Sequence, residues 1–314
     1  MSKSTDFKIV SLTVNPSIDK STRFEGLVSE QKIRCETPKF DSGGGGINVS
    51  KAIRRLGGES LAVFTSGGYP GQLLNDLLNN EDIPTFPISI SQPTRENFIA
   101  VDTLTGLQYR FGMPGPNLNS TEEEQVLESI KSIKPQYLVA SGSLPPGLSD
   151  GFYNKVARIA KKIDARFVLD TSGDALKSAL REGVYLLKPN LGELASLVGA
   201  PSLELNEVEK AARELISKSF CEIVVVSMGP KGAQLVTRDI SKHIPAPVIK
   251  VKSTVGAGDS MVGGMIWALS QNKSPVEVVQ YGIACGSAAT MNEGTQLFVK
   301  EDALKLFDWI QHNS

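Results

Sequence analysis

At 314 residues and a net charge of −1, the chain can bury a large α/β core, as one domain or two smaller ones, and nothing in its charge calls for nucleic acid or an anionic membrane surface. Hydrophobic residues are 40% and charged residues 21%, an ordinary globular balance, and no run of about 18 apolar residues is present to span a membrane. Cys35, Cys221 and Cys285 are odd in number and far apart, which argues against a disulfide framework or zinc site and predicts reduced thiols in a cytoplasmic setting. The N-terminal residues 1–8 lack an apolar signal core. His243 and His312 lie in polar surroundings, so acid/base work falls to carboxylates.

In chain order, residues 8–14 read as a first strand, broken by Asn15-Pro16-Ser17. Residues 20–40 alternate weakly and read as short antiparallel strands. Gly43-Gly44-Gly45-Gly46-Ile47-Asn48 is a glycine loop that opens a helix ending at Gly57. A buried-type strand at 61–65 leads through Gly67-Gly68 into a helix at 70–80. Residues 93–113 read as a hairpin. Strands at 137–141, 167–170, 185–190 and 223–227 then alternate with helices at 121–132, 150–163, 173–181, 192–198 and 206–218. A hairpin over 232–252 follows, then a helical segment over 258–312, broken near 292–297.

Apolar strands alternating with amphipathic helices predict a mostly parallel sheet covered on both faces, with ligands bound beyond the carboxyl ends of the strands. The two segments outside this rhythm, about 15–40 and 93–113, can pair as a small β-sheet lid.

Four segments carry chemistry. The glycine loop 43–48 allows close backbone approach at a helix start. Asn190 and Glu193 follow a strand; they read either as a helix cap with a first-turn acid or as a pair that orders Mg²⁺ through water. Residues 227–233 read as an ordinary turn or as the floor of a nucleotide site. Gly256-Ala257-Gly258-Asp259 starts a small-residue helix whose free N–H groups suit an anion. Asp259 either caps that helix or acts as a base beside the anion. A Walker P-loop is missing, and no Gly-x-Gly-x-x-Gly follows the first strand, which counts against an NAD-linked oxidoreductase.

Over essentially its whole length the chain resembles the PfkB or ribokinase-like carbohydrate kinases. The resemblance rests on the glycine loop 43–48 together with Ser253-Thr254-Val255-Gly256-Ala257-Gly258-Asp259-Ser260-Met261. Asn15-Pro16-Ser17-Ile18-Asp19, Ser141-Gly142-Ser143-Leu144-Pro145-Pro146-Gly147 and Lys188-Pro189-Asn190-Leu191-Gly192-Glu193 resemble its phosphosugar kinase branch. Gly45 stands where tagatose-6-phosphate and fructose-1-phosphate kinases carry a lysine, which fits the 6-phosphofructokinase subgroup better.

The resemblance implies one ribokinase-like domain over residues 1–314, a three-layer α/β/α fold with a mostly parallel central sheet and a small β-sheet lid. It implies ATP-dependent, in-line phosphorylation of the 1-hydroxyl of fructose 6-phosphate with Mg²⁺, and a homodimer formed through the lid. Asp259 would be the base, and Gly256, Ala257 and Gly258 the anion hole. Asp19, Gly44, Gly45 and Asn48 would hold sugar hydroxyls. Lys32, Arg34, Arg95, Arg110 and Ser143 would meet the sugar phosphate, with Lys32 placed to reach a neighbouring subunit. Lys188, Asn190, Ser227, Gly229, Thr254 and Ser287 would line the nucleotide cleft, and Glu193 would serve Mg²⁺ through water. Ser253, Val255, Ala289, Asn292 and Gly294 would supply a K⁺ loop. The alternatives are a tagatose-6-phosphate kinase, a 1-phosphofructokinase and, from another class, a non-catalytic sugar or nucleotide sensor on the same fold.

Overall fold

The computed structural model describes residues 7–294 and 296–314. Residues 1–6, part of the stretch read as lacking a signal core, and Thr295, inside the expected break at 292–297, lie outside the described residues. The strands are β1 (Ile9–Thr13), β2 (Ser17–Phe24), β3 (Lys39–Gly43), β4 (Leu61–Ser66), β5 (Thr85–Ser89), β6 (Arg95–Asp102), β7 (Gln108–Phe111), β8 (Tyr137–Ser141), β9 (Arg166–Asp170), β10 (Val184–Leu187), β11 (Cys221–Ser227), β12 (Ala233–Val236) and β13 (Ser241–Ile244). The helices are α1 (Gly45–Arg55), α2 (Gly68–Asn80), α3 (Ser120–Ile133), α4 (Phe152–Lys162), α5 (Gly173–Leu180), α6 (Leu191–Val198), α7 (Val208–Ser217), α8 (Ala257–Ser270), α9 (Pro275–Thr290) and α10 (Lys300–Asn313).

The large sheet has the order β13-β12-β11-β10-β9-β8-β1-β4-β5. Its members pair in parallel except β12 and β13, which pair antiparallel at one edge. Strand alternation divides the core between the two faces. Leu138 and Ala140 of β8 pack with α3, α4 and α5 on one face, while Tyr137 and Val139 pack with α1, α8 and α9 on the other. This is the expected three-layer α/β/α arrangement. The carboxyl ends of β1, β8, β9, β10 and β11 open toward one side, where Asp170, Lys188 and Ser227 stand.

A second sheet has the order β3-β2-β6-β7. β2–β3 and β6–β7 are the antiparallel pairs expected from 15–40 and 93–113, and β2 joins β6 in parallel. The short antiparallel strands expected over 20–40 do not fill that stretch; residues 25–38 contribute only an isolated bridge, Phe24 to Cys35. Polar and charged residues dominate that stretch and give it no face to bury. Ile18 anchors this sheet against Ile47, Phe64 and Leu74.

Three expectations need correction. Residues 85–89, given no element in the sequence analysis, form β5 at the edge of the sheet, a position that tolerates Pro87. The hairpin expected over 232–252 ends at Ile244. The C-terminal helical segment also breaks at 271–274, where Asn272 has φ 57° and Ser274 and Glu277 form a capping box ahead of Pro275.

Candidate active site

Asp259 sits in the first turn of α8, and the plain capping reading fails. The N-cap is Gly256, with no side-chain cap hydrogen bond. Asp259 Oδ2 instead accepts from Asn48 Nδ2 at 2.9 Å, and Oδ1 accepts from Ser141 Oγ at 3.3 Å. Three elements therefore converge on one carboxylate: the start of α1, the end of β8 and the start of α8. Two glycines permit it. A Cβ at Gly45 would lie 2.2 Å from Ser141 Oγ, so only glycine lets α1 begin against β8. Gly256 has φ 71°, and a Cβ there would meet Leu297 at 2.7 Å.

The Asp259 carboxyl is partly open to the cleft but surrounded by protein. Burial pushes its pKa up to about 6, with Asp170 adding to the rise; Asn48, Lys188 and Ser141 pull against it. It is thus ionised at neutral pH yet more basic than an ordinary aspartate, which suits a proton acceptor. The amides of Gly258 and Asp259 have no hydrogen-bond partner among the described residues, so the helix end presents free donors beside the acid.

Lys188, at the end of β10, has a buried side chain, and its Nζ lies 3.3 Å from Asp170 Oδ1. Burial lowers its pKa, but Asp170, Asp259 and Glu193 more than offset that and hold it above the usual lysine value. The ammonium is 3.6 Å from where a Cβ at Gly258 would stand, so a fixed cation adjoins the free amides. A cleft of about 450 Å³ runs from Lys188, Thr254, Ala257 and Gly258 to an apolar end formed by residues 246–249, Val251 and Ile283, with Ser227, Gly229 and Ser287 also on its walls. Its size suits a nucleotide. Another cavity, of about 470 Å³, lies behind α1 between Lys51, Arg55 and Lys300 and shares no residue with this cleft.

Asn190 and Glu193 realise the capping reading as a full capping box. Asn190 Oδ1 accepts from the Glu193 N–H, and Glu193 Oε2 from the Asn190 N–H, each at 2.9 Å. Glu193 Oε1 makes no hydrogen bond among the described residues, which leaves one carboxylate oxygen for a hydrated cation.

On the other side of Asp259, Asp19 Oδ1 accepts from Ser17 Oγ and Asn97 Nδ2, both at 2.8 Å. Gly44 immediately precedes α1. Arg95 donates to the carbonyls of Pro16 (3.4 Å), Met113 (3.2 Å) and Asn15 (3.0 Å). A guanidinium has five N–H donors, so Arg95 keeps two for a ligand. Burial lowers its pKa and Asp19 raises it. Asn15 Nδ2 donates to Ser143 Oγ at 3.1 Å, which places Ser143 next to this arginine. Lys32, Arg34 and Arg110 are exposed on the small-sheet side of the chain and form no ion pair among the described residues.

The cation-loop residues lie on two adjoining turns. Ser253 Oγ donates to Gly294 O at 2.9 Å, and Val255 N–H donates to Ser253 Oγ at 3.2 Å. Asn292 N–H donates to Ala289 O, while Asn292 Nδ2 straps Ala288 O and Leu297 O. The donors gathered here are carbonyls and a hydroxyl, an oxygen set suited to a weakly demanding cation.

Asp170, Ser141, Ser17 and Asn97 were not among the predicted site residues. Asp170 and Ser141 end strands, a signal the alternation already marked; Ser17 and Asn97 show themselves only when β2 and β6 are paired.

A carboxylate of raised pKa, free helix-end amides and a buried cation at the head of a nucleotide-sized cleft give this doubly covered α/β sheet the parts that phosphoryl transfer requires. The family described as pfkB family carbohydrate kinase matches residues 9–302. This chain belongs to that family and is a phosphotransferase with an alcohol group as acceptor. It is 41% identical over 305 residues to the ATP-dependent 6-phosphofructokinase isozyme 2 of Escherichia coli (strain K12), covering 96% of this chain and 99% of the relative. Crystal structures of phosphofructokinase-2 from Escherichia coli, one in complex with potassium and one with fructose-6-phosphate, superpose with TM-scores of 0.93 and 0.92, at 41% and 39% identity, over 97% of this chain and 99% of theirs. A ribokinase from Arabidopsis thaliana, at 20% identity over 96% of this chain and 99% of its own, shares the fold with a TM-score of 0.76. The oxidoreductase reading is thereby closed.

Proposed function

We propose that this chain is an ATP-dependent 6-phosphofructokinase that converts fructose 6-phosphate to fructose 1,6-bisphosphate. The observation that carries it is the Asp259 carboxylate, held by Asn48 and Ser141 beside free amides and Lys188. Asp259 takes the proton of the sugar 1-hydroxyl. The oxygen attacks the γ-phosphorus in line, and ADP leaves. The free amides of Gly258 and Asp259, presented by the Gly256–Ala257 turn, and the Lys188 ammonium meet the charge that spreads over the transferring group; the Ala257 N–H, expected in the anion hole, is spent on Thr254 O at 3.4 Å.

Asp19, Gly44 and Gly45 bound the sugar side. Asn48 spends its amide nitrogen on Asp259, so it orients the base as well as the sugar. The two remaining Arg95 donors and Ser143 bind the 6-phosphate, with Arg110 of β7 and Lys32 and Arg34 of the loop between β2 and β3 acting as the lid's cations. Thr254, Ser227, Gly229, Ser287, Asn190 and Lys188 line the nucleotide cleft. Glu193 would hold Mg²⁺ through water, and that ion would supply charge neutralisation at the phosphates; Ser253, Val255, Ala289, Asn292 and Gly294 would hold K⁺ beside the start of α8. Among the described residues no helix is long and apolar enough to cross a membrane, and a cytoplasmic setting is part of this reading.

A coupled ADP-release assay over fructose 6-phosphate, tagatose 6-phosphate, fructose 1-phosphate and unphosphorylated sugars tests it, with Mg²⁺ and K⁺ varied. The highest kcat/KM is expected for fructose 6-phosphate, with turnover lost without Mg²⁺. A higher kcat/KM for either other phosphosugar transfers the assignment to that kinase, and no ADP from any sugar revives the sensor.

The four-stranded sheet is the proposed lid and the seat of a homodimer. Leu104 and Leu107, in the turn between β6 and β7, and Phe111 on β7 are 68%, 58% and 51% exposed, a large apolar area for a lone monomer. Sedimentation velocity at micromolar concentration should show a dimer, and Leu107→Lys should shift it to monomer with a raised sugar KM. A monomeric wild-type protein would sink this part.

A further inference from the structure

Asn97 stands on β6 directly beside Asp19 of β2. Its Nδ2 donates to Asp19 Oδ1 at 2.8 Å, while its Oδ1 accepts the Met113 N–H at 3.1 Å. Met113 O in turn accepts from Arg95 Nη1 at 3.2 Å. Residue 113 lies in the strap that leaves β7 for α3, and both its backbone polar groups are held from β6. Only one orientation of the Asn97 amide satisfies both partners, NH₂ to the carboxylate and oxygen to the N–H. Ser17 Oγ donates to the same Asp19 oxygen at 2.8 Å, and Asp19 Oδ2 makes no hydrogen bond among the described residues.

We infer that Asn97 is a positioning residue for the sugar site. It fixes one oxygen of Asp19, leaves the other for substrate hydroxyls, and ties the acid to the strap that Arg95 grips. This rests on the reading of Asp19 as a hydroxyl-binding acid. The acid is oriented before the sugar arrives, so its ordering does not subtract from binding. Arg95 bonds the same strap, which links the phosphate end of the sugar pocket to its hydroxyl end.

The test is steady-state kinetics on Asn97→Asp, Asp19→Asn and the double variant, with the phosphosugar that the wild-type enzyme turns over at the highest kcat/KM. Asn97→Asp is nearly isosteric and keeps an acceptor for Met113, but it sets a second carboxylate against Asp19. Losing a hydrogen bond to a charged group predicts a rise of about 30-fold in sugar KM, with ATP KM changed less than about twofold. On the Asp19→Asn background the same change should add less than about threefold, because its target is gone. Asn97→Ser, which adds no charge, guards against misfolding and should raise sugar KM by about tenfold.

Sugar KM within about twofold of wild type in both Asn97 variants overturns the inference. So does an equal rise in both KM values, or a full additive effect on the Asp19→Asn background. If Asp19→Asn itself leaves sugar KM unchanged, the sugar-site assignment falls and this inference with it. An Asp19 effect with silent Asn97 variants overturns the inference alone.

Discussion

Asp259→Asn is expected to lower kcat by about 10³–10⁴-fold while ATP affinity, read by calorimetry, stays within about threefold. The amide keeps an oxygen for Asn48 but cannot accept the hydroxyl proton. Near-normal kcat would end the assignment of Asp259 as base. The wild-type profile supplies a second reading of the same group. With its pKa at about 6 in the free enzyme, the base is protonated in acid, so kcat/KM for the sugar should rise about tenfold per pH unit below 6 and level off above it.

The same carboxylate costs stability. Its pKa is raised from 3.8 to about 6 on folding, so the folded state holds the proton more tightly than the unfolded one. The sign follows: stability is greatest below about pH 4 as far as this group is concerned, and falls as pH rises toward 6. Above 6 the penalty is about 3 kcal/mol, from about 2 pKa units at 1.36 kcal/mol each. Asp259→Asn removes it, so the dead variant should melt several degrees higher at pH 7.5 and show no gain near pH 4. An unchanged melting temperature at pH 7.5 would show that the carboxylate is not desolvated.

Lys188→Met should fail in the opposite way, losing activity and stability together. It strands the Asp170 carboxylate opposite a buried methionine, which predicts a loss of about 3–5 kcal/mol in urea unfolding. It removes the fixed cation beside Gly258, for which a fall of about 10²–10³-fold in kcat/KM for ATP is expected. It also frees Asp259 from one of the charges that lower its pKa, so the acid limb of any residual activity should move to higher pH. Adding Asp170→Asn should restore most of the stability and none of the activity. Wild-type stability in Lys188→Met would show that the buried pair is replaceable, and wild-type kcat/KM would remove the lysine from the phosphate site.

Much of this architecture was legible in the sequence. The strand and helix periods differ enough that the alternation from 121 to 227 could be read directly, and the parallel sheet follows from it. The two glycine loops also declared themselves, since close backbone approach at a helix start leaves few other residue choices. Elements governed by their neighbours were harder. β5 is a strand because β4 offers it an edge, despite Pro87. The Asn190–Glu193 pair reads as a cap and is one, so local sequence could not separate that role from service to a metal. Asn97 looked like any polar residue in a hairpin until β2 was laid beside it.

The chain by itself determined the layered fold, the family, and Asp259 as the acid of interest, because periodicity and short glycine motifs are local properties. Only the tertiary structure decided what surrounds that acid. It placed Asn48 and Ser141, 211 and 118 positions away, on its two oxygens, and set Asp170 and Lys188 near enough to tune it. Desolvation and charge act through distance in space, and a sequence records only distance along the chain.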